Sequence, residues 1–153
     1  MAMNDKPRRI LAVASGGGHW VQLLRLRPAF EGHEVAYVTT NAGYQGDVDA
    51  RLHAVTDANM WEKKKLLRMF AEVAWIVLRE RPDVVVTTGA APGFAAVFFA
   101  RMLGARTLWI DSIANSEELS NSGKKVGKLA TAWVTQWPHL ASTDGPEHWG
   151  AVL

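Results

Sequence analysis

The chain has 153 residues, 48% of them hydrophobic and 21% charged, which is enough for one domain with a sizeable core and no covalent staples. A net charge of +2 leaves no general basic surface for nucleic acid, and the lack of cysteine excludes disulfides and thiolate metal sites and favours the cytoplasm. Residues 1–9 are short and polar, unlike a signal peptide or an anchor. The longest apolar region, residues 84–100, is broken by Thr87, Thr88, Gly89, Pro92 and Gly93 and so does not read as a spanning helix.

Ile10, Leu11, Ala12 and Val13 form a short strand that breaks into Ala14, Ser15, Gly16, Gly17 and Gly18, and His19 and Trp20 then open a helix over residues 20–30. Bare glycine N–H groups at a helix start favour an anion, such as a phosphate or a developing oxyanion. His19 enters that site from the first turn, either as a base for a hydroxyl or as a capping and packing residue. Gly32 closes the helix, and residues 34–40 form a second strand, completing a parallel βαβ unit. The loop over residues 41–49, which begins with Asn41, is rich in glycine and polar residues, as ligand-binding loops of open α/β sheets are. Residues 52–55 are a third, weaker strand.

The spacing predicts the longest helix over residues 60–81, stopped by Pro82. Leu66, Leu67, Met69, Phe70, Val73, Ala74, Ile76, Val77 and Leu78 cover about half its circumference, enough to lie on a sheet. The other side gathers Trp61, Lys64, Lys65, Arg68, Trp75 and Arg79, with Glu72 as counterweight. Indoles mixed with cations suit the headgroup layer of an anionic membrane, and equally suit a face where the indoles pack under a neighbouring loop and the lysines are solvated.

Residues 83–88 are a fourth strand, nearly continuous in β-branched residues as a central parallel strand is. It runs into Gly89, Ala90, Ala91, Pro92 and Gly93, a second glycine turn, and a helix over residues 94–103 follows. Gly104 ends that helix, and residues 106–110 form a fifth strand that delivers Asp111 and Ser112 to the same sheet edge. A polar turn over residues 120–125 leads into a short helix, and residues 132–137 are a last strand before Pro138. The tail shows no clear periodicity. These elements predict one domain over residues 1–153, an α/β Rossmann-like open parallel sheet with helices on both faces.

Several chemistries fail on the motifs. Gly16 and Gly18 begin a G-x-G-x-x-G pattern, but Val21 replaces the third glycine and no acid follows the second strand, so a nucleotide-binding oxidoreductase is a weak alternative. There is no P-loop, Ser15 is not in G-x-S-x-G, and the five histidines show no metal-ligand spacing.

The ordered set Ser15-Gly16-Gly17-Gly18-His19, Val38-Thr39-Thr40-Asn41, Asp83 to Gly89 with Pro92 and Gly93, Trp109-Ile110-Asp111-Ser112 and Gln136-Trp137-Pro138 resembles the accessory subunit of split glycosyltransferases. That family includes the membrane-recruiting subunit of the eukaryotic dolichol-linked chitobiose synthase and bacterial capsule and exopolysaccharide proteins. More distantly, the chain is similar to the N-terminal half of the peptidoglycan N-acetylglucosaminyltransferase. No single motif is specific; the order is.

The resemblance implies the N-terminal, acceptor-side half of a GT-B fold, with a UDP-sugar donor on a separate nucleotide-sugar-binding subunit and no cofactor bound by this chain alone. It implies that Ser15, Gly16, Gly17, Gly18, Gly89, Pro92 and Gly93 face the diphosphate of a polyprenyl-diphosphate-linked glycan acceptor. His19 would then serve as the catalytic base, with Asn41, Asp111 and Ser112 on the substrate side. Many relatives carry glutamate where this chain has Asp111. The eukaryotic subunit's N-terminal membrane helix has no counterpart here, so membrane contact at the inner face of the plasma membrane falls to the Trp61, Arg68, Trp75 surface. A non-catalytic scaffold that recruits the catalytic partner is the other reading of the same set.

Overall fold

In the computed structural model, which describes residues 6–152, the sheet grows outward from β1 (Arg9–Val13). On one side β1 pairs with β2 (Glu34–Thr39), which pairs with the edge strand β3 (Arg51–Ala54). On the other it pairs with β4 (Val84–Thr87), followed by β5 (Arg106–Ile110), β6 (Ala132–Thr135) and β7 (Glu147–His148). All pairs are parallel, in the order β3-β2-β1-β4-β5-β6-β7. The expected Rossmann-like open sheet is therefore the fold. Its strand order reverses between β1 and β4, which opens a crevice at their carboxyl ends. Most of the reading of residues 1–9 falls on positions 1–5, which lie outside the described residues, as does position 153.

Strand alternation sends side chains to two cores. Leu11, Val13, Val38 and Val85 pack under α2 (Lys63–Glu80) and α3 (Ala90–Met102), meeting Met69, Val73, Ile76, Val77, Ala95 and Ala96. Ile10, Ala12, Tyr37 and Val86 face the opposite way, onto Trp20 and Leu23 of α1 (Gly18–Arg25). A smaller cluster seats Trp109 between Val97 and Val126, the latter from α4 (Asn121–Val126). Helices thus cover both faces. Each fully buried Leu, Val or Met in these layers contributes roughly 1.5–3 kcal/mol relative to exposure.

Several elements differ from those expected. The helix expected over 60–81 begins at Lys63, because the Asn59 side chain accepts from the N–H groups of Trp61 (2.9 Å) and Glu62 (3.0 Å) and holds that stretch in a turn. Trp61 therefore precedes the helix. Its buried stripe is also narrower than expected: Met69, Val73, Ile76 and Val77 are buried, while Leu67 and Leu78 face outward. The helix expected over 94–103 starts earlier, at Ala90, since Pro92 sits in a first turn where its missing N–H is not needed. The helix expected over 20–30 gives way after Leu26 to a 3₁₀ turn (Arg27–Phe30), where Pro28 cannot supply an α-helical N–H. β7 went unpredicted because two residues carry no periodicity.

Candidate functional site

The two glycine turns lie side by side at the strand-order reversal. β1 and β4 are paired with Val13 opposite Thr87, so the chain leaves both strands at the same edge, through Gly16 to Gly18 into α1 and through Gly89 into α3. Neither helix start is capped by a side chain, whereas α4 is capped by Ser120, whose hydroxyl accepts from Gly123 N–H at 3.0 Å. Uncapped helix starts point their N–H groups and positive dipole ends into the crevice. The sheet edge is therefore suited to an anion.

His19 stands between the turns. Its Nδ1 lies 2.9 Å from the carbonyl oxygen of Thr88, which can only accept, so Nδ1 carries a proton and, in the neutral ring, Nε2 is the nitrogen left to accept one. Nε2 has no hydrogen-bond partner among the described residues. The Thr88 hydroxyl donates in turn to the His19 carbonyl at 2.7 Å. This fixes both ring and backbone, as a base requires. Gly89 is needed beside it: its φ is 117°, and a Cβ there would sit 3.3 Å from the imidazole Cε1. Ala90 follows with φ 68°, a positive value uncommon for a residue with a side chain. At Gly93, inside the first turns of α3, a Cβ would collide with the Thr87 hydroxyl.

The remaining expected site residues are placed nearby but are spent internally to different degrees. Ser15 and Gly16 are half-buried, Gly17 and Gly18 are exposed, and Pro92 and Gly93 are buried in α3. Asn41 caps a 3₁₀ turn by accepting from Gly43 N–H at 2.9 Å. Asp111 is 1% exposed, and its carboxylate accepts from Trp109 Nε1 (3.1 Å), Ser120 N–H (2.9 Å) and the Ser120 hydroxyl (2.5 Å). Ser112 accepts from Gln22 Nε2 at 3.0 Å and from Ala114 N–H at 3.2 Å. Asp111 and Ser112 thus order the loop after β5 from beneath.

Sequence reasoning missed three participants. The Tyr44 hydroxyl accepts from Gly17 N–H at 3.1 Å, while its ring stacks on Trp20 at 5.0 Å. Thr88 latches His19, as described above. Gln22 of α1 meets Gln136 at 2.7 Å, joining the helix behind the first turn to the end of β6. An aromatic residue inside a glycine-rich loop was the available signal for Tyr44; a buried glutamine pair leaves none in a single sequence.

On the α2 side, Lys64, Lys65, Arg68, Trp75 and Arg79 are all exposed, and the Arg79 guanidinium lies 5.3 Å over the Trp75 ring. Trp61, in the preceding turn, is 90% exposed. Lys65 pairs with Glu62 (2.7 Å) and Arg68 with Glu72 (3.1 Å). Leu67 and Leu78, at 72% and 57% exposure, join Trp75 at 56% as an outward apolar stripe. Among the described residues no helix is long and apolar enough to cross a membrane.

The chain is similar to known proteins in sequence and in fold. The sequence model of a family described as "Oligosaccharide biosynthesis protein Alg14 like" matches residues 48–152. The UDP-N-acetylglucosamine transferase subunit ALG14 of Eremothecium gossypii is 27% identical over 180 residues, spanning 96% of this chain and 80% of that protein. Among solved structures, MurG of Acinetobacter baumannii is similar with a TM-score of 0.74 at 15% identity, over 92% of this chain and 45% of that one. A glycosyltransferase of Rickettsia africae gives 0.62 at 16% identity, over 86% and 37%, and MnaA of S. aureus with UDP gives 0.64 at 15%, over 84% and 38%. The chain spans less than half the length of each of these three structures, and at such identities the likeness is one of fold.

Proposed function

Because the chain belongs to the Alg14-like family of oligosaccharide biosynthesis proteins, we propose that it is the acceptor-side subunit of a two-component, UDP-sugar-dependent glycosyltransferase. Its acceptor is a polyprenyl-diphosphate-linked saccharide extended in polysaccharide biosynthesis. A separate nucleotide-sugar-binding subunit supplies the donor half, including the UDP-sugar, and this chain alone holds no cofactor. The observation that carries the reading is His19, latched to Thr88 with its Nε2 lone pair free between two uncapped helix starts.

In this reading the N–H groups at the starts of α1 and α3 hold the acceptor's diphosphate, with Gly16, Gly17, Gly18 and Gly89 admitting it closely and Gly93 seating the start of α3 against Thr87. Pro92 and Ser15 shape the two turns. His19 Nε2 takes the proton of the attacking hydroxyl as the bond to the sugar's anomeric carbon forms and the UDP leaving group departs on the partner's side. Asn41, Asp111 and Ser112 act as positioning residues, because their polar atoms are engaged within the protein. The outward stripe of Leu67, Trp75 and Leu78, with Lys64, Lys65, Arg68, Arg79 and the neighbouring Trp61, rests on the inner face of the plasma membrane, where the lipid-linked acceptor lies.

The test is a complex reconstituted with its donor subunit and carrying His19→Ala. Loss of turnover with intact assembly supports the reading; undiminished turnover assigns His19 a structural part. One observation favours a second reading, a non-catalytic scaffold: the Tyr44 hydroxyl already occupies Gly17 N–H. The scaffold reading requires the His19→Ala complex to keep full activity.

A further inference from the structure

A cavity of about 200 Å³ opens at the same sheet edge, between the starts of α2, α3 and α4. Its walls are apolar, from Leu66 and Phe70 of α2 and Ala91 and Phe94 of α3, and the Phe70 and Phe94 rings lie 5.9 Å apart. Met60, in the turn before α2, and Ser122 and Lys125 of α4 complete the lining. Ala91 is two residues beyond Gly89, so the cavity adjoins the second glycine turn directly.

A second, independent feature lies next to it. The first turn of α2 carries Lys63, Lys64 and Lys65 and no acidic residue, although cations at a helix N-terminus oppose its dipole. Glu62 pairs with Lys65 at 2.7 Å. An apolar cavity beside lysines set against a helix dipole matches a ligand that is a hydrocarbon at one end and an anion at the other.

We infer that this cavity receives the first isoprene units of the acceptor, those next to the diphosphate, with Lys125 at its mouth toward the anion. The inference rests on the proposed acceptor class and deepens it. It makes the chain a reader of the lipid as well as of the diphosphate, through Phe70 and Phe94.

The full chain is titrated by calorimetry with inorganic diphosphate, farnesol and farnesyl diphosphate. Farnesyl diphosphate is expected to bind at least about tenfold tighter than inorganic diphosphate, since each buried methylene adds to affinity. Ser122→Trp, which fills the cavity from the rim, is expected to reduce that advantage to about twofold or less. A photoreactive geranyl diphosphate analogue, used on the unsubstituted chain, is expected to label residues 66–70 or 91–94, which keeps the test valid should the variant fold poorly. Equal affinity for inorganic and farnesyl diphosphate overturns the cavity assignment and leaves the diphosphate cradle standing. Farnesol and farnesyl diphosphate binding alike, with inorganic diphosphate silent and the label in the cavity, supports the cavity and removes the cradle. Label confined to other segments, or an undiminished farnesyl advantage in Ser122→Trp, overturns the inference, and silence from all three ligands overturns both.

Discussion

His19 and Thr88 hold one another by two hydrogen bonds in opposite directions, imidazole Nδ1 to the Thr88 carbonyl at 2.9 Å and the Thr88 hydroxyl to the His19 carbonyl at 2.7 Å. Thr88 is fully buried, so its hydroxyl has no water to fall back on. Thr88→Val keeps the shape, removes one bond and leaves the His19 carbonyl short of a donor. Thermal or urea unfolding is expected to show a loss of about 1–2 kcal/mol. Turnover of the reconstituted complex is expected to fall with KM for the acceptor nearly unchanged, because the base is loosened while the glycine turns remain. His19→Ala removes the base itself and is expected to cost about 10²–10⁴ in kcat.

Gly89→Ala tests the same spot from the other side. At φ 117° any side chain is strained, and the new methyl would press on His19 Cε1 from 3.3 Å. A destabilisation of about 1–2 kcal/mol is expected on conformational grounds. Displacement of the ring by a fraction of an ångström is expected to lower kcat by up to about a hundredfold. A kcat that survives the substitution, with the destabilisation present, would separate His19 from the chemistry.

Much of this edge was legible in the sequence because strand, glycine and helix start follow one another twice, and a parallel sheet must bring both turns to one side. The β-branched run through Val84, Val85 and Val86 marked a central strand, and β4 is central. What was hidden depends on contacts distant in the chain. Asp111 looked like a residue delivered to the ligand, since a strand end is where ligands bind; its burial follows from Trp109 and Ser120, neither of which its spacing reveals. The outward turn of Leu67 and Leu78 was hidden for a related reason: helical periodicity gives the angle of each side chain but not how wide a stripe the sheet will cover.

Asp111→Ala tests what that buried carboxylate supports. Removing the carboxylate strands the Trp109 indole N–H and the Ser120 N–H and hydroxyl beneath the loop after β5. The expected cost is about 2–4 kcal/mol, read as a lower denaturation midpoint. Amide exchange over residues 112–120 is expected to accelerate while β1 and β4 stay protected. An unperturbed loop would return Asp111 to the substrate side.

Acid dependence is expected at the β3 edge. The Arg51 hydrogen bonds lower the Glu80 pKa; burial opposes this, and the His53 contact adds to the lowering, so the carboxyl lies below its ordinary value of 4.5. A lowered carboxyl in the folded state means that the unfolded chain binds more protons in acid. The stabilisation is complete above pH 4.5 and is lost as pH falls through the folded value. Glu80→Gln is expected to cost about 1 kcal/mol at neutral pH, a modest value because Arg51 is largely exposed. In urea titrations the gap between the two proteins is expected to close on going to acid. Glu72, also lowered, is common to both and cancels from the difference.

The outward face of α2 gives the last prediction. Trp75 is half exposed with Arg79 stacked over it, and Leu67 and Leu78 extend the same stripe by helical steps. Each exposed apolar side chain that enters an interface gains hydrocarbon burial, and each nearby cation gains about 1 kcal/mol at an anionic leaflet. Flotation with vesicles of anionic and zwitterionic lipid separates these contributions. Trp75→Ala is expected to weaken binding to both, whereas Arg68→Glu is expected to weaken binding to anionic vesicles alone and to steepen its loss with salt. Arg68→Glu also breaks the contact with Glu72 that helps tie Thr56 to α2, so its melting temperature must be compared with that of Arg68→Ala. Equal flotation of wild type and both variants would take α2 away from the membrane and leave its stripe for a protein partner.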